Sequence, residues 1–179
     1  MIMTIDTASL KLRPIALDDA ARVHEWASMP EACRYQTWGP NSWSDTLAFV
    51  QAAVQAWSAE PQTQWHWMAE DPAGTAYGMG QLKRHSSSRA EIAYSVHVDY
   101  WGQGVGTAIA RLLIDWAFES WPEIERVEAT CDPRNIGSER ILRRTGMTYE
   151  GTLRHTMLIR DGWRDSKLFS ILRDEWASL

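Results

Sequence analysis

Only two cysteines, Cys33 and Cys131, occur among 179 residues, too few for a disulfide framework or a cysteine-based metal cluster. Two buried thiols in a reducing compartment is the plain reading, and no metal is expected. Positive charge is in deficit: 18 Lys and Arg face 23 Asp and Glu, a net charge of -5. A general binder of nucleic acid or of an anionic membrane carries a basic excess, so neither partner is expected. No apolar run approaches the roughly 20 residues of a membrane span. The start, Met1-Ile2-Met3-Thr4-Ile5-Asp6, lacks the basic region and apolar core of a secretion signal. Internal repeats, low-complexity stretches and Pro/Gly/Ser-rich linkers are absent too. These absences predict one cytoplasmic domain spanning residues 1–179. Its 45% apolar and 23% charged residues suit a folded chain rather than a disordered one.

What the chain does have is an alternation of short strands and helices. Leu10 to Arg13 alternates apolar and polar and reads as a strand. Asp18 can cap a helix carrying Ala20, Val23 and Trp26 on one face, ending before Pro30. Residues 34–43 read as a loop, and Ser44 opens a second helix with Leu47, Val50 and Val54 inward. The period then changes to two. Gln64 to Glu70 and Ala76 to Arg84 form a hairpin across Asp71-Pro72-Ala73-Gly74. In the strand Arg89 to Val98, Ile92, Tyr94, Val96 and Val98 face one way; Glu91, Ala93, Ser95 and His97 face the other. Val105, Ile109, Leu112, Leu113, Trp116 and Ala117 make one continuous helical stripe. A strand over Arg126 to Cys131, a helix over Ser138 to Thr145 and extended chain from Met147 to Ile159 follow. Asp161-Gly162 turns into a closing strand, Ser166 to Arg173. The order, β-α-α-β-β-β-α-β-α-β-β, predicts an α/β sheet of mixed strand direction.

Chemistry concentrates at Gly102-Gln103-Gly104-Val105-Gly106-Thr107, between a strand and the long helix. Closely spaced glycines let a ligand approach the backbone, and the first amides of a helix are unpaired at its positive dipole end. That combination is a phosphate cradle. A dinucleotide fingerprint needs a glycine at the sixth position, which here is Thr107 or Ile109 depending on the start. No Lys-Ser/Thr pair follows the glycines, so a Walker loop is excluded as well.

This loop resembles the acetyl-CoA pyrophosphate loop of GNAT-superfamily acetyltransferases, and the wider match is to their RimJ/RimL-like branch. Five ordered segments carry the resemblance: Leu10-Lys11-Leu12-Arg13-Pro14 with Asp18-Asp19-Ala20; Ala90-Glu91-Ile92-Ala93-Tyr94 with Tyr100-Trp101-Gly102-Gln103-Gly104; Asn135-Ile136-Gly137-Ser138 with Gly146-Met147 and Glu150-Gly151; Asp161-Gly162-Trp163-Arg164-Asp165; and Asp174-Glu175-Trp176. The resemblance implies a centrally splayed sheet of about seven strands flanked by about four helices. It also implies acetyl-CoA as cosubstrate, direct attack by a primary amine and a possible homodimer. Pantetheine would pair with strand backbone near Ser95 and Val96, and with Asn135. Pyrophosphate would sit on the amides of Gly102 to Thr107. Ser138 would lie near the coenzyme sulfur.

Two departures shape the catalytic expectation. Trp101 stands where the loop usually begins with Gln or Arg. Leu142 stands where many members carry an acidic Tyr, which leaves Ser138 as the group that would act on the departing thiolate. Glu91, on the strand that carries such a glutamate in several members, is the expected base; Leu158 is unsuited to that role and His155 lies nearby. Trp38, Trp43 and Trp163, three of eleven tryptophans, are expected to wall the acceptor pocket. In the resembling family the segment between the two early helices, which holds Trp38 and Trp43, roofs it, and the late hairpin with Trp163 approaches the same opening. Acceptors run from a protein N-terminal amine to an aminoglycoside or a polyamine. A CoA-binding module without turnover is the reading from a different class.

Overall fold

Period-two alternation produces seven strands in the computed structural model, which describes residues 6–179; the opening residues Met1 to Ile5, and with them the start of the expected 1–179 domain, lie outside the described residues. The strands are β1 (Lys11–Pro14), β2 (Gln64–Glu70), β3 (Ala76–Arg84), β4 (Arg89–Val96), β5 (Arg126–Cys131), β6 (Thr148–Ile159) and β7 (Gly162–Leu172). Four helices exceed seven residues: α1 (Ala20–Ala27), α3 (Trp43–Gln55), α4 (Val105–Ser120) and α5 (Ile136–Arg144). Two single turns, α2 (Pro30–Cys33) and α6 (Arg173–Trp176), lie where no element was expected, except that Arg173 was expected to end the closing strand. One mixed sheet runs β1-β2-β3-β4-β5-β7-β6 and is parallel only between β4 and β5.

Strand alternation splits the core into two layers. On one face Trp65, Trp67, Leu82, Ile92, Val127 and Ile171 pack against the α4 stripe of Val105, Ile109, Leu113 and Ala117. On the other, Met68 and Met79 meet Val23 and Trp26 of α1 and Val50 of α3. Most tryptophans belong to the first layer. Trp65, Trp67, Trp116 and Trp121 lie with neighbouring ring centroids 4.7–5.9 Å apart, and Trp57 meets Trp67 edge-on. Among the described residues, no helix is long and apolar enough to cross a membrane.

Several boundaries differ from the sequence reading, each for a local reason. The α3 cap is Ser42 rather than Ser44: its hydroxyl accepts from the Asp45 amide while Asp45 returns to the Ser42 amide. The α5 cap is Asn135, whose Oδ1 accepts from the Ser138 amide at 3.0 Å, so the helix starts at Ile136 and not at Ser138. β4 stops at Val96 because a 3₁₀ turn, Val98–Tyr100, begins with the His97 ring accepting from the Asp99 amide.

One charged contact ties β1 to the start of α1. Arg13 donates both Nη atoms to Asp19 at 2.7 Å, and the Ala16 amide donates to the same carboxylate at 2.8 Å. Burial would push Asp19 up, but these hydrogen bonds outweigh it and hold the carboxyl below its ordinary value. A depressed carboxyl stabilises the fold above its unfolded value near 4 and loses that contribution as pH falls through the folded value. Asp19→Asn should therefore cost about 1–3 kcal/mol in urea unfolding at pH 7. The wild-type advantage should shrink below about pH 4; an advantage that is independent of pH would rule out the carboxylate as its source.

Candidate active site

The parallel pairing of β4 and β5 lasts three residues. Arg89, Ala90 and Glu91 register with Arg126, Val127 and Glu128, and then the strands diverge. On its outer edge β4 stays paired with β3 as far as Val96 opposite Gly78. β5 likewise stays paired with β7 as far as Cys131 opposite Lys167. Each strand keeps one partner and loses the other, so β4 backbone from Ile92 onward faces a wedge instead of a neighbour. Two cavities open from this wedge.

The first, about 540 Å³, lies on the loop side. Its walls include Ser95, Val96, Gly102, Gly104, Val105, Gly106, Thr107, Asn135 and Ser138. These expected cofactor residues are brought together; Gln103 is the exception, since its side chain turns back to donate to the Asp99 carbonyl at 3.0 Å. The first backbone bond of α4 runs from the Ala108 amide to the Gly104 carbonyl at 3.0 Å. The amides of Val105, Gly106 and Thr107 therefore precede the helical ladder and carry no helical acceptor. Gly104 caps α4 at φ +87°, a conformation L side chains rarely adopt. Gly106 serves packing: a Cβ there would fall 2.6 Å from Ile141 Cδ1 of α5. Trp101 donates its indole N–H to the Val96 carbonyl at 2.9 Å and so fastens the loop to the end of β4.

Charge inside this cavity runs against the charge of the whole chain. Arg134, Arg140 and Arg144 all line it. Arg134 is engaged by Asp132 and Asp161, whereas Arg140 and Arg144 form no salt bridge among the described residues. Unpaired helix-start amides beside two such guanidinium groups fit the phosphates of a CoA.

The second cavity, about 580 Å³, lies on the opposite side of β4. Val23, Trp26, Trp38, Phe49 and Met79 give it apolar walls, and Asp45 is the one carboxylate in its lining. Hydrogen bonds from the Ser42 hydroxyl and amide hold Asp45 below the usual carboxylate value. Its roof is fastened from the β6–β7 hairpin. Arg160 donates to the carbonyls of Cys33, Trp38 and Gly39, and Arg164 to that of Tyr35 at 2.9 Å. Trp38 lines the cavity as expected. Trp43 and Trp163 do not line it: Trp43 lies edge-on to His24, and Trp163 is 61% exposed and stacked on His155.

Gln36, Tyr94 and Ser95 line both cavities. The Ser95 hydroxyl is buried there without a hydrogen-bond partner. The Tyr94 hydroxyl lies 3.0 Å from Ser138 Oγ. Glu91 is not brought to this junction. Its carboxylate lies 2.8 Å from His85 Nε2, it lines neither cavity, and it sits where β4 and β5 still pair. At about 3.3 Å per residue, it is roughly 13 Å along the strand from Ser95.

Tyr94 and Asp45 were not singled out from sequence. A phenol on an otherwise apolar strand face seeks a polar partner, which is a usable signal for Tyr94. The Ser42-Thr46 stretch carries a Ser-x-x-Asp capping pattern, which locates Asp45 at a helix start but not on a cavity wall.

Comparison with known proteins agrees with this geometry. Residues 9–148, more than half of the chain, match the model of the acetyltransferase (GNAT) domain. An uncharacterized N-acetyltransferase p20 of Bacillus licheniformis is 28% identical over 97% of this chain and 98% of its own. A spermidine N(1)-acetyltransferase of Escherichia coli is 25% identical over 95% of this chain and 89% of its own. Among solved structures, a GNAT-family acetyltransferase from Bacillus anthracis superposes with a TM-score of 0.83 at 22% identity, covering 96% and 99% of the two chains. Mycobacterium smegmatis RimJ, solved with CoA-disulfide, gives 0.80 at 23% identity over 93% and 83%. The chain belongs to the GNAT acetyltransferase family.

Acetyl-CoA should raise the melting temperature, because a ligand bound only by the native state contributes RT ln(1 + [L]/Kd), roughly 2.7 kcal/mol at a hundredfold excess. Gly104→Val forces a β-branched residue into positive φ and displaces the amides, so most of the shift should disappear. An unchanged shift in that variant would place the phosphate site elsewhere.

Proposed function

We propose that this enzyme transfers the acetyl group of acetyl-CoA directly to a primary amine carrying an apolar substituent. The observation that carries the proposal is the meeting of the two cavities at Tyr94 and Ser95. A thioester laid in the loop-side cavity and an amine laid in the apolar one meet at these shared walls, which also include Gln36.

The roles follow from placement. The amides of Gly102 to Thr107, with Arg140 and Arg144, hold the coenzyme phosphates. Asn135 and the open backbone of β4 near Ser95 and Val96 hold its pantetheine arm. The Val96 carbonyl shares its capacity with Trp101, so the neighbouring β4 groups carry more of this pairing. The amine lone pair attacks the thioester carbon, the C–S bond breaks, and the electron pair goes to sulfur. Ser138, on the first turn of α5, donates a hydrogen bond to that sulfur. The proton shed by the amine nitrogen passes to thiolate or water. Glu91, held by His85, serves the sheet and not this proton.

Acceptor choice follows from the walls of the second cavity. A polyamine needs several carboxylates along its length, and this lining holds Asp45 alone. A single ammonium beside an apolar group, as on a peptide N-terminal residue, suits a lining that combines Asp45 with Trp38 and Phe49. That preference, and the loop motif with Trp101, support reading the chain with the RimJ/RimL-like branch and not with the polyamine enzymes.

Incubation with acetyl-CoA and an amine panel, read by mass spectrometry, tests the acceptor class. Peptides with an apolar first residue should be acetylated faster than spermidine; the reverse order would overturn the assignment. Ser138→Ala should lower kcat and leave the KM for acetyl-CoA unchanged; an unchanged kcat removes Ser138 from the reaction. Below the pKa of the amine itself, kcat/KM should rise about tenfold per pH unit as free base appears. Glu91→Gln should change it less than about threefold, whereas a loss of 10²-fold or more, the usual scale for a positioned base, would put Glu91 in the proton path.

A further inference from the structure

The junction of the two cavities contains a hydroxyl pair that the reaction scheme above uses only in part. Tyr94 leaves β4 just where its partner β5 has fallen away, and its phenol crosses the wedge to the first turn of α5. There it meets two oxygens of one residue: Ser138 Oγ at 3.0 Å and the Ser138 carbonyl at 3.5 Å. The serine amide is already committed to the Asn135 side chain at 3.0 Å. Ser138 is thus fixed from two sides, its backbone by the helix cap and its hydroxyl by the phenol.

We propose that Tyr94 is a positioning residue for Ser138: it donates its O–H to Ser138 Oγ, which leaves the serine proton free to point at the coenzyme sulfur. This inference rests on the role assigned to Ser138. Burial pushes the Tyr94 phenol above its ordinary value, so it keeps its proton throughout the neutral and mildly alkaline range. A protonated phenol needs an acceptor, and both oxygens within its reach belong to Ser138. Donation into Oγ polarises the serine hydroxyl and makes it a better donor in turn, since linked hydrogen bonds strengthen one another. The chain runs Tyr94 O–H to Ser138 O–H to sulfur. No proton needs to leave Tyr94, and its phenolate never forms. The leaving electron pair is stabilised by a hydrogen bond, and the amine proton completes the thiol.

This arrangement needs no hydroxyl at Leu142, since the phenol reaches the serine from the strand. Leu142 is free to be 1% exposed in the core.

The test is a double-mutant cycle on the full enzyme with acetyl-CoA and a saturating amine. Tyr94→Phe keeps the ring and its packing, so the melting temperature and the KM for acetyl-CoA should stay at wild-type values. Its kcat should fall by up to roughly tenfold, the upper end of the scale for one lost hydrogen bond between neutral groups. In the Ser138→Ala background, adding Tyr94→Phe should cost nothing further. Three results would each overturn the proposal. One is a wild-type kcat for Tyr94→Phe, which leaves Ser138 standing alone if Ser138→Ala is slow. Another is two effects that multiply, which makes Tyr94 independent of Ser138. The third is a loss of acetyl-CoA affinity or melting temperature matching the loss of kcat, which makes Tyr94 a merely structural residue.

Discussion

Everything functional in this molecule depends on a sheet that stops pairing too early. β4 and β5 hold each other over three residues and then part, while β3 and β7 keep their grip on the outer edges. Unpaired backbone inside a protein is costly unless something satisfies it. Under the proposed function that cost becomes a binding site, because the groups that β5 abandons are donors and acceptors at a fixed spacing, suited to an extended amide-bearing ligand. An eighth strand laid into the wedge would remove the orphaned groups and the opening together.

The wedge would be of little use without the elements that flank it. α4 is capped at Gly104, its first residues line the cavity, and the buried stripe beneath it fixes its position on the sheet. α5 is capped at Asn135 and contributes Ser138, Arg140 and Arg144 to the same cavity. A chain of net charge -5 therefore gathers cationic side chains and a helix dipole where phosphate would sit. On the other side of β4 the walls are apolar and the roof is tied down by Arg160 and Arg164 to backbone carbonyls. Two chemically opposite compartments share one strand, and acyl transfer needs that arrangement: a polyanionic donor and an amine that must shed its charge, meeting at one carbon.

Elements whose signal is local were legible in the sequence. The apolar stripe of α4, the hairpin of β2 and β3, and the glycine turn before Val105 all depend on neighbours within a few residues. The parity of β4 was also legible, and Glu91 does share a face with Ala93 and Ser95. Parity fixes the face of a residue but not its place relative to the point where the strands part, and Glu91 lies before that point. Similar reasoning applies to the tryptophans. Trp38 is pinned into the cavity by Arg160, far along the chain, whereas nothing comparable holds Trp43 or Trp163 there. Tyr94 read as one more member of an apolar face, because its partner Ser138 lies 44 residues later. Gly106 read as a ligand contact, although the close approach of Ile141 already requires the missing Cβ.

Amide hydrogen exchange, with and without acetyl-CoA, tests the central claim most directly, since the wedge and the loop are defined by amides that the protein itself leaves without partners. Bound acetyl-CoA should slow exchange in three separate stretches, residues 92–96 of β4, residues 102–107 of the loop and residues 135–138 at the start of α5, and should leave β6 and β7 unchanged. Exchange unaltered in residues 102–107 while the ligand is bound, or protection confined to α3 and the apolar cavity, would contradict a donor site in the parting of β4 and β5.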